Sequence, residues 1–113
     1  MAHAISIDEL KKLVADGAAP TVVDVRRKSD YTAAPQTIET ARWRDPEMVD
    51  AWAGEIAKDR PVIVYCVKGG SVSQSVADWL AGKKIDARYL EGGILAWQAA
   101  KRGGGQQGTD QAE

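Results

Sequence analysis

The chain holds one cysteine, Cys66, where the apolar run Pro61-Val62-Ile63-Val64-Tyr65 gives way to Val67-Lys68-Gly69-Gly70-Ser71-Val72-Ser73. A short β-run that delivers a thiol into a Gly-containing loop opening a helix aims a nucleophile at an anion. The helix start offers backbone N–H groups without intrahelical acceptors, together with the positive end of the macrodipole. Both favour thiolate, the reactive form of cysteine. A free thiol is only about 3% thiolate at neutral pH, and one helix terminus typically contributes about 0.3–1 kcal/mol toward the charged form. The dipole alone is too weak. Several converging loop N–H groups, with Lys68 nearby, must add to it. The plainer alternative is a buried structural cysteine that closes a core strand.

The expected anion-binding loop comprises Val67, Lys68, Gly69, Gly70, Ser71 and Val72. Lys68 is its one cation and either draws an anionic substrate or is simply solvated. Gly69 and Gly70 suit a tight backbone path that turns N–H groups inward, or else an ordinary turn. Ser71 and Ser73 read best as helix caps. His3 is the single histidine and sits in an N-terminus that reads as loose. A Cys–His hydrolase needs an imidazole beside the thiol, and a zinc site needs several Cys or His ligands. Both classes are disfavoured, and no metal is expected.

The totals narrow the field further. At 113 residues the chain suits one domain, and 44% hydrophobic with 27% charged residues is ordinary for a globular protein. Fifteen basic against sixteen acidic residues give a net charge of -1, with none of the basic excess expected of a nucleic-acid or anionic-membrane binder. No apolar stretch is long enough to span a bilayer. Met1-Ala2-His3-Ala4 lacks the pattern of a secretory signal, and one cysteine makes no internal disulfide. A cytoplasmic protein is the expectation.

The elements that must position Cys66 alternate between strand and helix. Ser6-Ile7-Asp8-Glu9 has the capping-box pattern, with Leu10, Leu13 and Val14 following at helical spacing until Gly17 and Pro20. Thr21 to Val25 reads as a buried strand, and Ser29 to Ala34 as a short helix stopped by Pro35. The stretch from Gln36 to Arg44 has little pattern beyond a brief strand near Ala41. Asp45-Pro46-Glu47 opens a helix carrying Met48, Val49, Trp52 and Ile56 on one side. Pro61 to Tyr65 is the best central strand. A helix over Ser73 to Lys83 with Val76, Ala77 and Leu80 inward, a strand over Ala87 to Leu90, and a helix over Ile94 to Lys101 complete the pattern. Trp52, Trp79 and Trp97 fall at core positions. This alternation predicts an α/β domain with a largely parallel sheet over residues 1–102. Residues 103–113, rich in Gly and Gln, read as a disordered polar tail.

Three segments in series carry a family resemblance: Asp24-Val25-Arg26 closing the first strong strand, Cys66 opening its loop, and Leu90-Glu91-Gly92-Gly93-Ile94-Leu95-Ala96-Trp97 between the last strand and helix. In this order and spacing the chain resembles the single-domain rhodanese-like sulfurtransferases over roughly Ile5 to Lys101. The resemblance implies a central, mainly parallel sheet flanked by helices. It implies that Cys66 takes a sulfane sulfur from a small sulfur-containing anion such as thiosulfate, holds it as a persulfide, and passes it to cyanide or a thiol. No cofactor is required. Asp24 and Arg26 would tie the strand end to neighbouring loops, and Arg42 and Trp43 would line the pocket mouth. The chain departs from the family pattern at Ile38-Glu39-Thr40-Ala41, where Ile-Pro-Gly-Ala is common, and in a Cys66 loop without the usual arginine. Pairing Val76, Ala77 and Leu80 with the family's helix makes the loop one residue longer, as in the related cell-cycle phosphatases and arsenate reductases. Phosphoryl transfer needs a cation gripping the equatorial oxygens, usually a bidentate arginine. Val72 stands where that arginine would fall, and Lys68 is a poor substitute. Sulfur transfer is therefore preferred. A non-catalytic or weakly catalytic module for sulfur carriage or partner binding is the next reading, and a cysteine-loop phosphatase or arsenate reductase the last.

Overall fold

Val62, Ile63, Val64 and Tyr65 are all at 0% exposure because helices cover both faces of the strand they form. The structure, a computed structural model, describes residues 2–38 and 40–103. In chain order the elements are β1 (His3–Ile5), α1 (Ile7–Ala15), β2 (Thr21–Asp24), α2 (Lys28–Ala33), β3 (Arg42–Trp43), α3 (Val49–Trp52), β4 (Val62–Tyr65), α4 (Ser71–Ala81), β5 (Ala87–Leu90) and α5 (Gly93–Gly103). The strands form one sheet in the order β1-β5-β4-β2-β3, and every pairing is parallel. The expected α/β architecture is the one observed.

Side chains of β4 alternate between two core layers, as the period of two demands. Val62 and Val64 join Val23, Val25 and Ala87 beneath Trp52, Ile56, Val76, Ala77 and Leu80. Ile63 and Tyr65 join Ile5, Val22 and Leu90 beneath Leu10 and Ile94. Because the sheet is parallel, all its strands end on one side, and Cys66 emerges from the middle of that side. In open α/β sheets, ligands bind outside these carboxyl ends.

Local signals account for most boundaries. The Ser6 hydroxyl accepts from the Glu9 N–H at 3.1 Å, and Glu9 Oε1 accepts from the Ser6 N–H at 2.8 Å, completing the capping box before α1. The hydrogen bond from the Ser6 backbone holds the Glu9 carboxyl below its ordinary range. Several expectations need correction. The N-terminus is not loose: His3, Ala4 and Ile5 pair with Arg88, Tyr89 and Leu90 as an edge strand. The helix after Asp45 is broken into the 3-10 turn Pro46–Met48, α3 and the 3-10 turn Ala53–Glu55, which leaves Met48 51% exposed rather than inward. Val25 lies just past β2, and α4 runs two residues earlier at each end than Ser73 to Lys83. α5 extends through Gly103, and the rest of the expected tail lies outside the described residues.

Candidate active site

The Cys66 loop is short because α4 starts at Ser71, with Gly70 as its N-cap. Ser71 and Val72, expected in the loop, therefore belong to the first turn of the helix. The N–H groups of the helix's first turn have no intrahelical acceptors, and Gly70 has no side chain to cap them. Cys66 is 6% exposed and Lys68 is exposed. A nearly buried thiol thus stands at the start of a short loop whose one cation, Lys68, is exposed.

The loop carbonyls are held by donors from elsewhere. The Ile94 N–H donates to the Cys66 carbonyl at 3.0 Å, and the Leu95 N–H to the Val67 carbonyl at 3.2 Å. Gln74 donates from Nε2 to the Gly69 carbonyl at 3.0 Å and from its backbone N–H to the Gly70 carbonyl at 3.2 Å. Each peptide unit is planar and trans, so its N–H points opposite to its carbonyl. Fixing these four carbonyls therefore fixes the N–H groups of Val67, Lys68, Gly70 and Ser71, each opposite the carbonyl of its own peptide. None of those N–H groups donates to a protein acceptor among the described residues. An array of oriented, unpaired N–H groups beside a helix start is a cradle for an anion.

Two glycines make this path sterically open. Gly69 adopts φ +76, and a Cβ there would lie 2.8 Å from both Gly92 N and Leu90 O. Gly93 adopts φ +60, and a Cβ there would lie 2.4 Å from the carbonyl oxygens of Cys66 and Val67. The Leu90-to-Gly93 turn thus packs directly on the Cys66 loop and lets the start of α5 reach its carbonyls. The sequence flagged this segment as a turn into a helix. Its role as a clamp on the Cys66 loop needed the structure.

Ser73 is the residue sequence reasoning assigned to the wrong task. It does not cap α4. It is at 0% exposure, and its hydroxyl accepts from the Cys66 thiol at 3.2 Å while donating to the Gly70 carbonyl at 3.4 Å. Gln74 was missed altogether. Its position one turn into a helix after Gly69-Gly70 is the signal that could have found it.

Asp24 and Arg26 are buried at the end of β2. Arg26 Nη2 lies 2.6 Å from Asp24 Oδ2, and Nε donates to the same carboxylate at 3.0 Å. Arg26 also donates to the carbonyls of Ala34 and Gln36, each at 2.9 Å, tying the chain after α2 to the sheet. Trp43 Nε1 donates to the Arg26 carbonyl at 2.8 Å, and its ring stacks on Tyr31 at 5.0 Å. Trp43 aligns with Asp24, which in turn aligns with Tyr65, so it stands at the same end of the sheet as Cys66. Arg42 lines, with Pro20, Thr21 and Glu55, a concavity to which no residue of the Cys66 loop contributes. His3 is exposed on β1, and no cluster of metal-ligating side chains occurs among the described residues. No helix among them is long and apolar enough to cross a membrane.

A five-stranded parallel sheet flanked by helices, with one nearly buried thiol at the carboxyl end of its central strand, is an α/β fold that offers Cys66 at the edge where such sheets bind ligands. The chain belongs to the rhodanese-like domain family, whose model matches residues 6–100. It is similar to a sulfurtransferase from Allochromatium vinosum, with 29% identity over 97 residues, covering 86% of this chain and 89% of the relative. The fold is similar to a rhodanese-like domain protein from Staphylococcus aureus, at TM-score 0.73 and 27% identity over 84% of this chain and 90% of the other. A rhodanese homologue from Thermus thermophilus superposes at TM-score 0.63 with 29% identity, covering 82% of this chain and 98% of its own. Together these support sulfurtransferase-type function at the level of the family.

Proposed function

We propose that the protein moves a sulfane sulfur from a small sulfur anion such as thiosulfate to a thiophilic acceptor, cyanide or a thiol, through a persulfide on Cys66. The Cys66 thiolate attacks the outer sulfur of thiosulfate and forms an S–S bond. The bond from that sulfur to the sulfonate breaks, and sulfite leaves with its electron pair. The charge that began on Cys66 now sits on the terminal sulfur of the persulfide. Cyanide or a thiolate then attacks this terminal sulfur and expels the Cys66 thiolate, restoring the starting state. Atoms and charge balance in both steps without an external oxidant or reductant.

The observation that supports this reading is the set of loop carbonyls held by Ile94, Leu95 and Gln74, while the N–H groups of the same peptides make no protein hydrogen bond among the described residues and are free to meet an anion. That cradle suits both the incoming anion and the terminal sulfur of the persulfide. Val72, in the first turn of α4, provides no guanidinium to grip phosphate oxygens, which weighs against phosphatase chemistry.

The test is thiocyanate formation from thiosulfate and cyanide. Turnover that disappears in Cys66→Ser supports the proposal. Absence of thiocyanate with thiosulfate and with alkyl persulfide donors would favour a module for partner binding. Hydrolysis of an aryl phosphate that is lost in Cys66→Ser would favour the phosphatase reading.

A further inference from the structure

The Ser73 hydroxyl is the single side-chain hydrogen-bond partner of Cys66 among the described residues. It accepts from the thiol at 3.2 Å and sends its own proton to the Gly70 carbonyl over a long 3.4 Å. That carbonyl has a second donor, the Gln74 N–H at 3.2 Å. The hydroxyl proton can therefore leave Gly70 without orphaning a buried acceptor, and a serine hydroxyl rotates freely to suit its partners. Once the thiol proton is gone, the sulfur turns from donor to acceptor. The unused direction of the hydroxyl then becomes the better one, because hydrogen bonds to a charged acceptor are about twice as strong as neutral ones.

We propose that Ser73 is a second catalytic residue, whose hydroxyl swings from the Gly70 carbonyl onto the Cys66 sulfur when that sulfur becomes anionic. The proposal rests on the sulfur-transfer reading for its role in turnover, but its effect on thiol reactivity is independent of any substrate.

The geometry also gives Ser73 a selective effect. Ser73 has 0% exposure and Cys66 6%, so the hydroxyl lies on the inner side of the sulfur and the incoming atom must approach from the outer side. A transferred sulfur sits about 2.05 Å beyond Sγ, away from Ser73. In the persulfide the charge resides on that outer atom, and Sγ becomes a neutral bridge. Ser73 then returns to Gly70. The inner hydroxyl therefore serves the resting thiolate and not the loaded state.

Other charged groups around the site do not supply this hydrogen bond. They are Lys68 in the loop, Glu91 in the turn before α5, and the Asp24–Arg26 pair at the end of β2, and none is hydrogen-bonded to Cys66 among the described residues. The first turn of α4 carries no acid.

The experiment is alkylation of Cys66 by iodoacetamide as a function of pH in the full chain, for the wild type, Ser73→Ala and Ser73→Thr. Ser73→Ala removes only the hydroxyl, and its thermal midpoint verifies that the fold is kept. The expected result is an alkylation rate about tenfold lower at neutral pH and a pH–rate profile displaced about one unit toward alkaline pH. Ser73→Thr, which keeps the hydroxyl, recovers the wild-type profile. A Ser73→Ala profile that superposes on the wild type overturns the proposal. A displaced profile in a protein that takes no sulfur from any donor would leave the Ser73 proposal standing and remove the sulfur-transfer reading instead.

Discussion

The N–H of Ile94 donates to the carbonyl of Cys66 at 3.0 Å, so the start of α5 helps set the orientation of the peptide that follows this thiol. Two segments about thirty residues apart in the chain, by this bond, form one device.

Gly93→Ala tests the clamp. Its backbone lies at φ +60, and the added Cβ would meet the Cys66 and Val67 carbonyl oxygens at 2.4 Å. Backbone strain alone costs about 1–3 kcal/mol, and the collision adds to it. The expected outcome is a lowered urea midpoint together with a disturbed alkylation rate at Cys66.

Gln74→Ala releases the Gly69 carbonyl while the Gly70 carbonyl keeps its backbone donor. The side chain is exposed, so stability should fall by no more than about 0.5–1.5 kcal/mol. If the same free energy is felt in the transition state, sulfur loading slows about two- to tenfold. Rapid-quench mass measurements of the loading rate check this.

The Asp24–Arg26 pair should matter through folding. Arg26→Met leaves a fully buried carboxylate without its partner and frees the Ala34 and Gln36 carbonyls. The expected loss is about 3–5 kcal/mol by chemical denaturation. Arg26→Lys should not restore it, because a single ammonium cannot reach all three acceptors in the plane of a guanidinium.

Alkaline pH should destabilise the protein through Tyr65. Burial raises its phenol well above the ordinary tyrosine range, while the oxygen accepts from the Ile38 N–H at 3.0 Å. Above about pH 10 the unfolded chain releases this proton and the folded chain retains it, so rising pH favours unfolding. The stabilising contribution is complete below that pH and is lost progressively above it. Tyr65→Phe should flatten the alkaline slope, at a cost of about 1–3 kcal/mol for the orphaned Ile38 N–H. Denaturation midpoints over the alkaline range provide the check.

Much of this design was legible in the chain because its signals are local. The Ser6–Glu9 capping box, the apolar β4 run and the Gly-containing loop after Cys66 each act within a few residues. β1 was not legible, because three residues with one buried side chain become a strand only by pairing with β5. Met48 misled because Pro46 begins a 3-10 turn, which rotates the residue off the face that helical spacing assigns it. At the site, the thiol and its glycines could be read from sequence. The donors that orient the loop could not: Ile94 and Leu95 arrive from another helix, and Ser73 shows its contact with Cys66 only once α4 starts at Ser71.

The central claim is that Cys66 carries a transferable sulfur, and intact mass after incubation with thiosulfate tests it most directly. The account predicts a gain of a single sulfur atom, absent in Cys66→Ser and reversed by cyanide. An unchanged mass in wild-type protein with thiosulfate and with alkyl persulfide donors would contradict it.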